Sequence, residues 1–180
     1  LVIRNDPHSQ INRLFFGMVL SIALWSICSL TSYATDSIFL LKILFKSMVI
    51  FTGVYSAFLL HFSTELTGIR IIPKTFSSLF FYVPILIISI FIISNTNYFE
   101  HFYRANDLWN FEHKYDSPLL IIFLLYWAVY NILSFSIFLV ASWRSKSKTK
   151  KMQSFLLAAA LFISFLLSIS KALLLPVLVD

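Results

Sequence analysis

Five long stretches of this chain carry almost no charge, and that pattern fixes the solvent its fold must face. They cover residues 14–35, 37–62, 75–99, 117–143 and 152–179, broken only by Lys42 and Lys46 in the second and Lys171 in the fifth. A helix crosses the hydrocarbon core with about 20 mostly apolar residues at ~1.5 Å each, and every one of these stretches clears that length. Hydrophobic residues make up 59% of the 180 and charged residues 12%, with a mean hydropathy of +0.84. A soluble domain is about half apolar and about a quarter charged, so this surplus cannot be hidden in a single water-facing core. Several of the runs are rich in Ile, yet in lipid the backbone must bond to itself, and none alternates polar and apolar as a barrel strand does. The expected fold is all-α: a polytopic transmembrane bundle with five spans.

Basic residues orient the bundle. Arg4 and Arg13 precede the first span, Arg70 and Lys74 lie between the second and third, and Arg144, Lys146, Lys148, Lys150 and Lys151 form the turn between the fourth and fifth. The other side holds Arg104 and Lys114 in the link after the third span, alongside Glu100, Asp107, Glu112 and Asp116. Lys and Arg accumulate in cytoplasmic loops, so the segment before the first span is expected inside and Asp180 outside, in a plasma or inner membrane. The net charge of +6 is then topological. A basic turn between two spans does not predict nucleic-acid binding. The opening Leu1-Val2-Ile3 reads as the end of an earlier helix and the chain as the middle of a larger membrane protein.

The stretch from Asn5 through Asp6, Pro7 and His8 to Arg13-Leu14-Phe15-Phe16, followed by Ala23-Leu24-Trp25, resembles the N-terminal seven-transmembrane region of bacterial sensor histidine kinases. The aromatic-rich helix end Phe58-Leu59-Leu60-His61-Phe62 before Glu65, the longer outer link and the basic turn match the layout of that family. The resemblance covers nearly the whole chain, as helices two to six of seven. It implies a sensory module that relays an extracytoplasmic or intramembrane signal to a cytoplasmic output domain, a kinase or a cyclase, itself outside these residues. It also implies homodimerisation through output segments. The bilayer is the expected partner, together with a small-molecule or membrane-borne signal.

Polar residues inside the spans are candidates for receiving that signal. Lys42 and Lys46 share one face of the second span, about 7 and 13 Å below its outer end at ~1.5 Å per residue. Lys171 lies at a similar outer depth in the fifth span. A cation in the hydrocarbon costs about 2.5–3.5 kcal/mol on insertion scales and usually faces a cavity or a partner. Lys46, Lys42 and Lys171, with Trp109 above them, therefore define a candidate pocket for an anionic or carbonyl-bearing ligand. Snorkelling toward the interface is the competing account, favoured for Lys42 and Lys171, whereas the depth of Lys46 favours a cavity or a partner. The aromatic outer link, with Phe102, Tyr103, Trp109, Phe111 and Tyr115, reads first as an interfacial belt and second as a short lid helix.

Other residues point to packing. Ala158 to Ala160 with Ser164 and Ser168 form a small-residue stripe, Asn131 is placed to bond across the bundle, and Trp25 and Trp127 at mid-depth read as packing residues. Pro84 is a candidate bend. His8, His61, His101 and His113 supply no facing pair at one depth for a haem, and no metal set is completed, so no cofactor is expected. No catalytic motif is present, although His61 and Glu65 stand four apart at one helix end. A secondary transporter is the alternative, without the internal repeat such folds usually show.

Overall fold

The computed structural model describes residues 9–95, 102–105, 108–111 and 118–179, and within these the side chains other than those of 74–75, 77–78, 102–111, 165 and 168–179. Five helices form where five spans are expected: α1 (Gln10–Ala34), α2 (Ile38–Thr67), α3 (Lys74–Ser94), α4 (Pro118–Arg144) and α5 (Lys148–Val179). Among the described residues, α1, α2 and α4 are long and apolar enough to cross a membrane, and the apolar part of α3 is the shorter Leu79–Ser94. The helices carry large apolar side chains on their outer surface, such as Leu30, Phe39, Ile90 and Leu125, each at least 61% exposed. Water would not tolerate that surface, and lipid does.

The local chemistry explains the helix ends. Only Thr35, Asp36 and Ser37 separate α1 from α2, so the two must pack as antiparallel neighbours. The Ser37 hydroxyl accepts from the Leu40 backbone N–H at 3.4 Å, capping the start of α2. At its other end Gly68 adopts φ +70° and donates its N–H to the Thr64 carbonyl, closing the last turn with a conformation that suits glycine.

Helix α2 is the hub. It packs against α1, α3 and α4, while the principal neighbour of α5 is α4. One buried cluster gathers Ala57 and Leu60 of α2, Phe81, Ile85 and Ile88 of α3, and Phe123, Tyr126 and Ile137 of α4. A second gathers Leu14, Leu59, Phe62, Phe138 and Ala158 from α1, α2, α4 and α5. Gly53 allows the closest approach: a Cβ there would collide with Ile85 of α3 and sit 3.4 Å from Phe123 of α4.

The five-helix bundle accords with the all-α class, and the outer link differs only from its second reading, a short lid helix. Phe102–Ala105 (β1) and Leu108–Phe111 (β2) form an antiparallel pair in which Phe102 faces Phe111 and Ala105 faces Leu108. A lid helix is thereby excluded over these residues. The physical reason lies in the composition: two short runs rich in aromatic residues flank Asn106-Asp107, residues that favour tight turns over helix. The side chain of Trp109, like those of Lys171 and Ser168, lies outside the described residues, as do Leu1 to His8, His101, His113 and Asp180.

Candidate functional site

The bundle is held by side-chain hydroxyls bonded to the backbone of neighbouring helices. Tyr126 donates to the Gly53 carbonyl at 2.9 Å, joining α4 to α2. Tyr130, one turn on, donates to the Phe80 carbonyl at 2.6 Å, joining α4 to α3. In an unbroken helix that carbonyl would accept from residue 84, but Pro84 has no N–H, and α3 nevertheless runs on through it. Lipid offers no replacement donor, so a tyrosine from the next helix fills the gap.

Beside this seam, four helices border a half-open cavity of about 270 Å³. Its wall takes Ser21 and Trp25 from α1, Thr52 and Tyr55 from α2, Trp127 and Asn131 from α4, and Leu161 and Ser164 from α5. Each of these residues falls near the middle of its helix, so the cavity sits at mid-height, where a bilayer is most apolar. Asn131 donates through Nδ2 to the Ser56 hydroxyl at 3.2 Å and to the Trp127 carbonyl at 2.8 Å. Ser21 and Thr52 instead return their hydroxyl protons to their own helix, to the carbonyls of Gly17 and Met48 at 2.8 and 2.9 Å. Such internally bonded hydroxyls are suited to packing rather than to nucleophilic chemistry. Among the described residues no charged side chain lines this cavity.

A second polar cluster lies toward the end of the bundle that holds the α4–α5 turn. His61 is 8% exposed, and its two ring nitrogens reach Gln10 Nε2 of α1 at 3.2 Å and the Tyr82 hydroxyl of α3 at 3.0 Å. Glu65, one turn along, is 3.8 Å from the same Nε2 that faces Gln10. The ring also packs on Phe81, with centroids 4.9 Å apart. One imidazole thus joins three helices. Next to it, Thr64, Glu65, Arg70 and Phe81 border a cavity of about 240 Å³. Among the described residues no three His, Cys, Asp or Glu side chains are grouped to hold a metal.

A family model for the N-terminal 7TM region of histidine kinase matches residues 1–180, the whole chain. The chain belongs to this family. No curated protein and no solved structure matches it. Membership makes this a membrane sensory region of a histidine kinase rather than its catalytic domain, in accord with the resemblance carried by the Asn5–Phe16 segment and Trp25.

Within this family member, Lys42 and Lys46 occupy a different place from the mid-height cavity. Lys46 donates through Nζ to the carbonyls of Asn95 at 2.7 Å and Ile93 at 3.3 Å, at the C-terminal end of α3. A cation there meets the negative end of the helix dipole and carbonyls without intrahelical partners. Lys42 is half-buried one turn away on α2. Trp25, 43% exposed, and Trp127 both line the cavity, as do Asn131 and Ser164. Arg144, Lys146, Lys148, Lys150 and Lys151 are exposed around the α4–α5 turn. Tyr55, Tyr82, Tyr126 and Tyr130 were not legible as site residues. The available signal was the spacing of Tyr126, Tyr130 and Asn131, which places a polar side on an otherwise apolar helix.

Proposed function

We propose that this chain takes up a signal from outside or within the membrane and relays it to a cytoplasmic output domain of the same signalling protein. The observation that carries the reading is the polar cavity at mid-height, walled by four separate helices and lined by no charged side chain among the described residues. A ligand there touches α1 and α2 on one side and α4 and α5 on the other. It favours one packing of the two pairs over another, and only such differential contact shifts an equilibrium. Helix α5 rests chiefly on α4, so the pair can shift together against the α2 hub.

In this reading all five helices span the bilayer, with the basic turn at Arg144 to Lys151 in the cytoplasm and the β1–β2 hairpin outside. The mid-height cavity, rather than the outer lysines, is the input site, because the Lys46 ammonium is already held by two carbonyls. Autophosphorylation of the full-length kinase in native membranes tests the relay. Replacing Lys146, Lys148 and Lys150 together by Gln should change the rate or its stimulus dependence, and an unaltered response would sink the assignment of α4 and α5 as movers.

A further inference from the structure

We infer that the mid-height cavity binds an uncharged amphiphile drawn from the bilayer, a molecule with one hydroxyl group on an apolar body. This names the ligand class for the input site and rests, for its purpose, on the sensory reading above.

Three wall residues carry polar atoms with no hydrogen-bond partner among the described residues. They are the Tyr55 hydroxyl, the Trp25 indole N–H and the Asn131 side-chain oxygen, whose amide nitrogen is already engaged twice. At this height neither water nor lipid tails can satisfy them, and each group left bare in an apolar medium is costly. The set is complementary: an indole N–H that donates, an amide oxygen that accepts, and a phenol that does either. A hydroxyl donates once and accepts twice, so it can donate to Asn131 and accept from both Trp25 and Tyr55. A carboxylate only accepts, leaving Asn131 bare, and an ammonium only donates, leaving Trp25 bare. Either ion would also arrive without a countercharge among the described wall residues.

Size and access agree with a bilayer source. At about 270 Å³ the cavity falls just below the ~300–1,000 Å³ typical of ligand sites, so it holds the polar end and the first part of an apolar body. Ile22 and Trp25 border it while remaining 47% and 43% exposed on the lipid-facing side of α1, which gives the remainder of the molecule a route into the hydrocarbon.

The test is photolabelling of the full chain in phosphatidylcholine nanodiscs with a long-chain alcohol bearing a diazirine next to its hydroxyl end. Saturable labelling is expected on the segments holding Trp25, Tyr55 and Asn131. Unlabelled alcohol should compete, and a fatty acid or alkylammonium of equal length should not. Tyr55→Phe keeps the ring and loses the hydroxyl, and should raise the half-saturating concentration about tenfold. Ser164→Phe fills the cavity without touching the three unpartnered groups, and should abolish saturable labelling. Labelling that rises linearly with probe, equal competition by the fatty acid, or either variant matching the wild type while running as a single species overturns the proposal. Saturable labelling with an unresponsive kinase would instead retain the site and remove the sensory reading.

Discussion

The hydroxyl of Tyr130 donates to the carbonyl of Phe80 at 2.6 Å, the acceptor that Pro84 deprives of its helical N–H. The two rings also stack, with centroids 6.1 Å apart. A proline in a spanning helix is tolerated when a neighbour re-satisfies the freed carbonyl. Here that neighbour is on α4, so the same substitution that weakens α3 internally ties it to the next helix.

This relationship predicts a dependence between two substitutions. Tyr130→Phe should destabilise the folded bundle by about 1 kcal/mol, the scale of a single net hydrogen bond in a protein or membrane. In a Pro84→Ala background residue 84 supplies its own N–H, and the cost of Tyr130→Phe should fall to near zero. Denaturant unfolding of the four proteins in detergent micelles reads the coupling. Equal costs in both backgrounds would show that Tyr130 does not compensate for Pro84.

Gly53 predicts a steric response. Adding a side chain at this position drives it into Ile85, so Gly53→Val should cost about 1–3 kcal/mol through overpacking. Ile85→Ala should recover part of that loss by vacating the contact. The same unfolding assay on the single and double variants checks it; simple additivity of the two losses would contradict the packing account.

His61 supplies a third expectation. His61→Leu removes the partner of Gln10 and of Tyr82 together, and should destabilise the α1–α2–α3 contact by about 1–3 kcal/mol. Hydrogen exchange should rise most in the first turns of α1, where Gln10 begins the helix. Uniform change across the chain would instead mark a general packing loss.

Lys46 separates two accounts of the half-buried lysines of α2. If its role is to hold the carbonyls of Ile93 and Asn95, Lys46→Met should speed amide exchange in the last turn of α3 and leave labelling of the mid-height cavity unchanged. Loss of that labelling in the variant would place Lys46 in the ligand's path.

The helices were legible because lipid turns a length of charge-free sequence into a spanning element, and the runs at 14–35, 37–62 and 117–143 coincide closely with α1, α2 and α4. The hairpin was less legible: the aromatic residues at 102–111 serve an interfacial belt, a lid helix or a strand pair equally well, and it is the pairing of Tyr103 with Asn110 that decides. The depth of Lys46 signalled a partner, but helix spacing cannot show that this partner is the end of α3. The cavity was illegible for a related reason. Trp25, Tyr55, Asn131 and Ser164 come from four helices, and only their packing brings them to one height. Pro84 was visible as an interruption, whereas the hydroxyl that answers it lies 50 residues from Phe80 in the chain.

The central claim is that occupancy of the mid-height cavity governs an attached output. Its most direct measurement is the autophosphorylation rate of the full-length kinase in membrane vesicles, comparing wild type with Ser164→Phe at matched protein levels. A filled cavity should lock the bundle in one packing and change the rate by about fivefold or more, with the response to added long-chain alcohol lost. An unchanged rate and an intact response in a correctly inserted variant would contradict it.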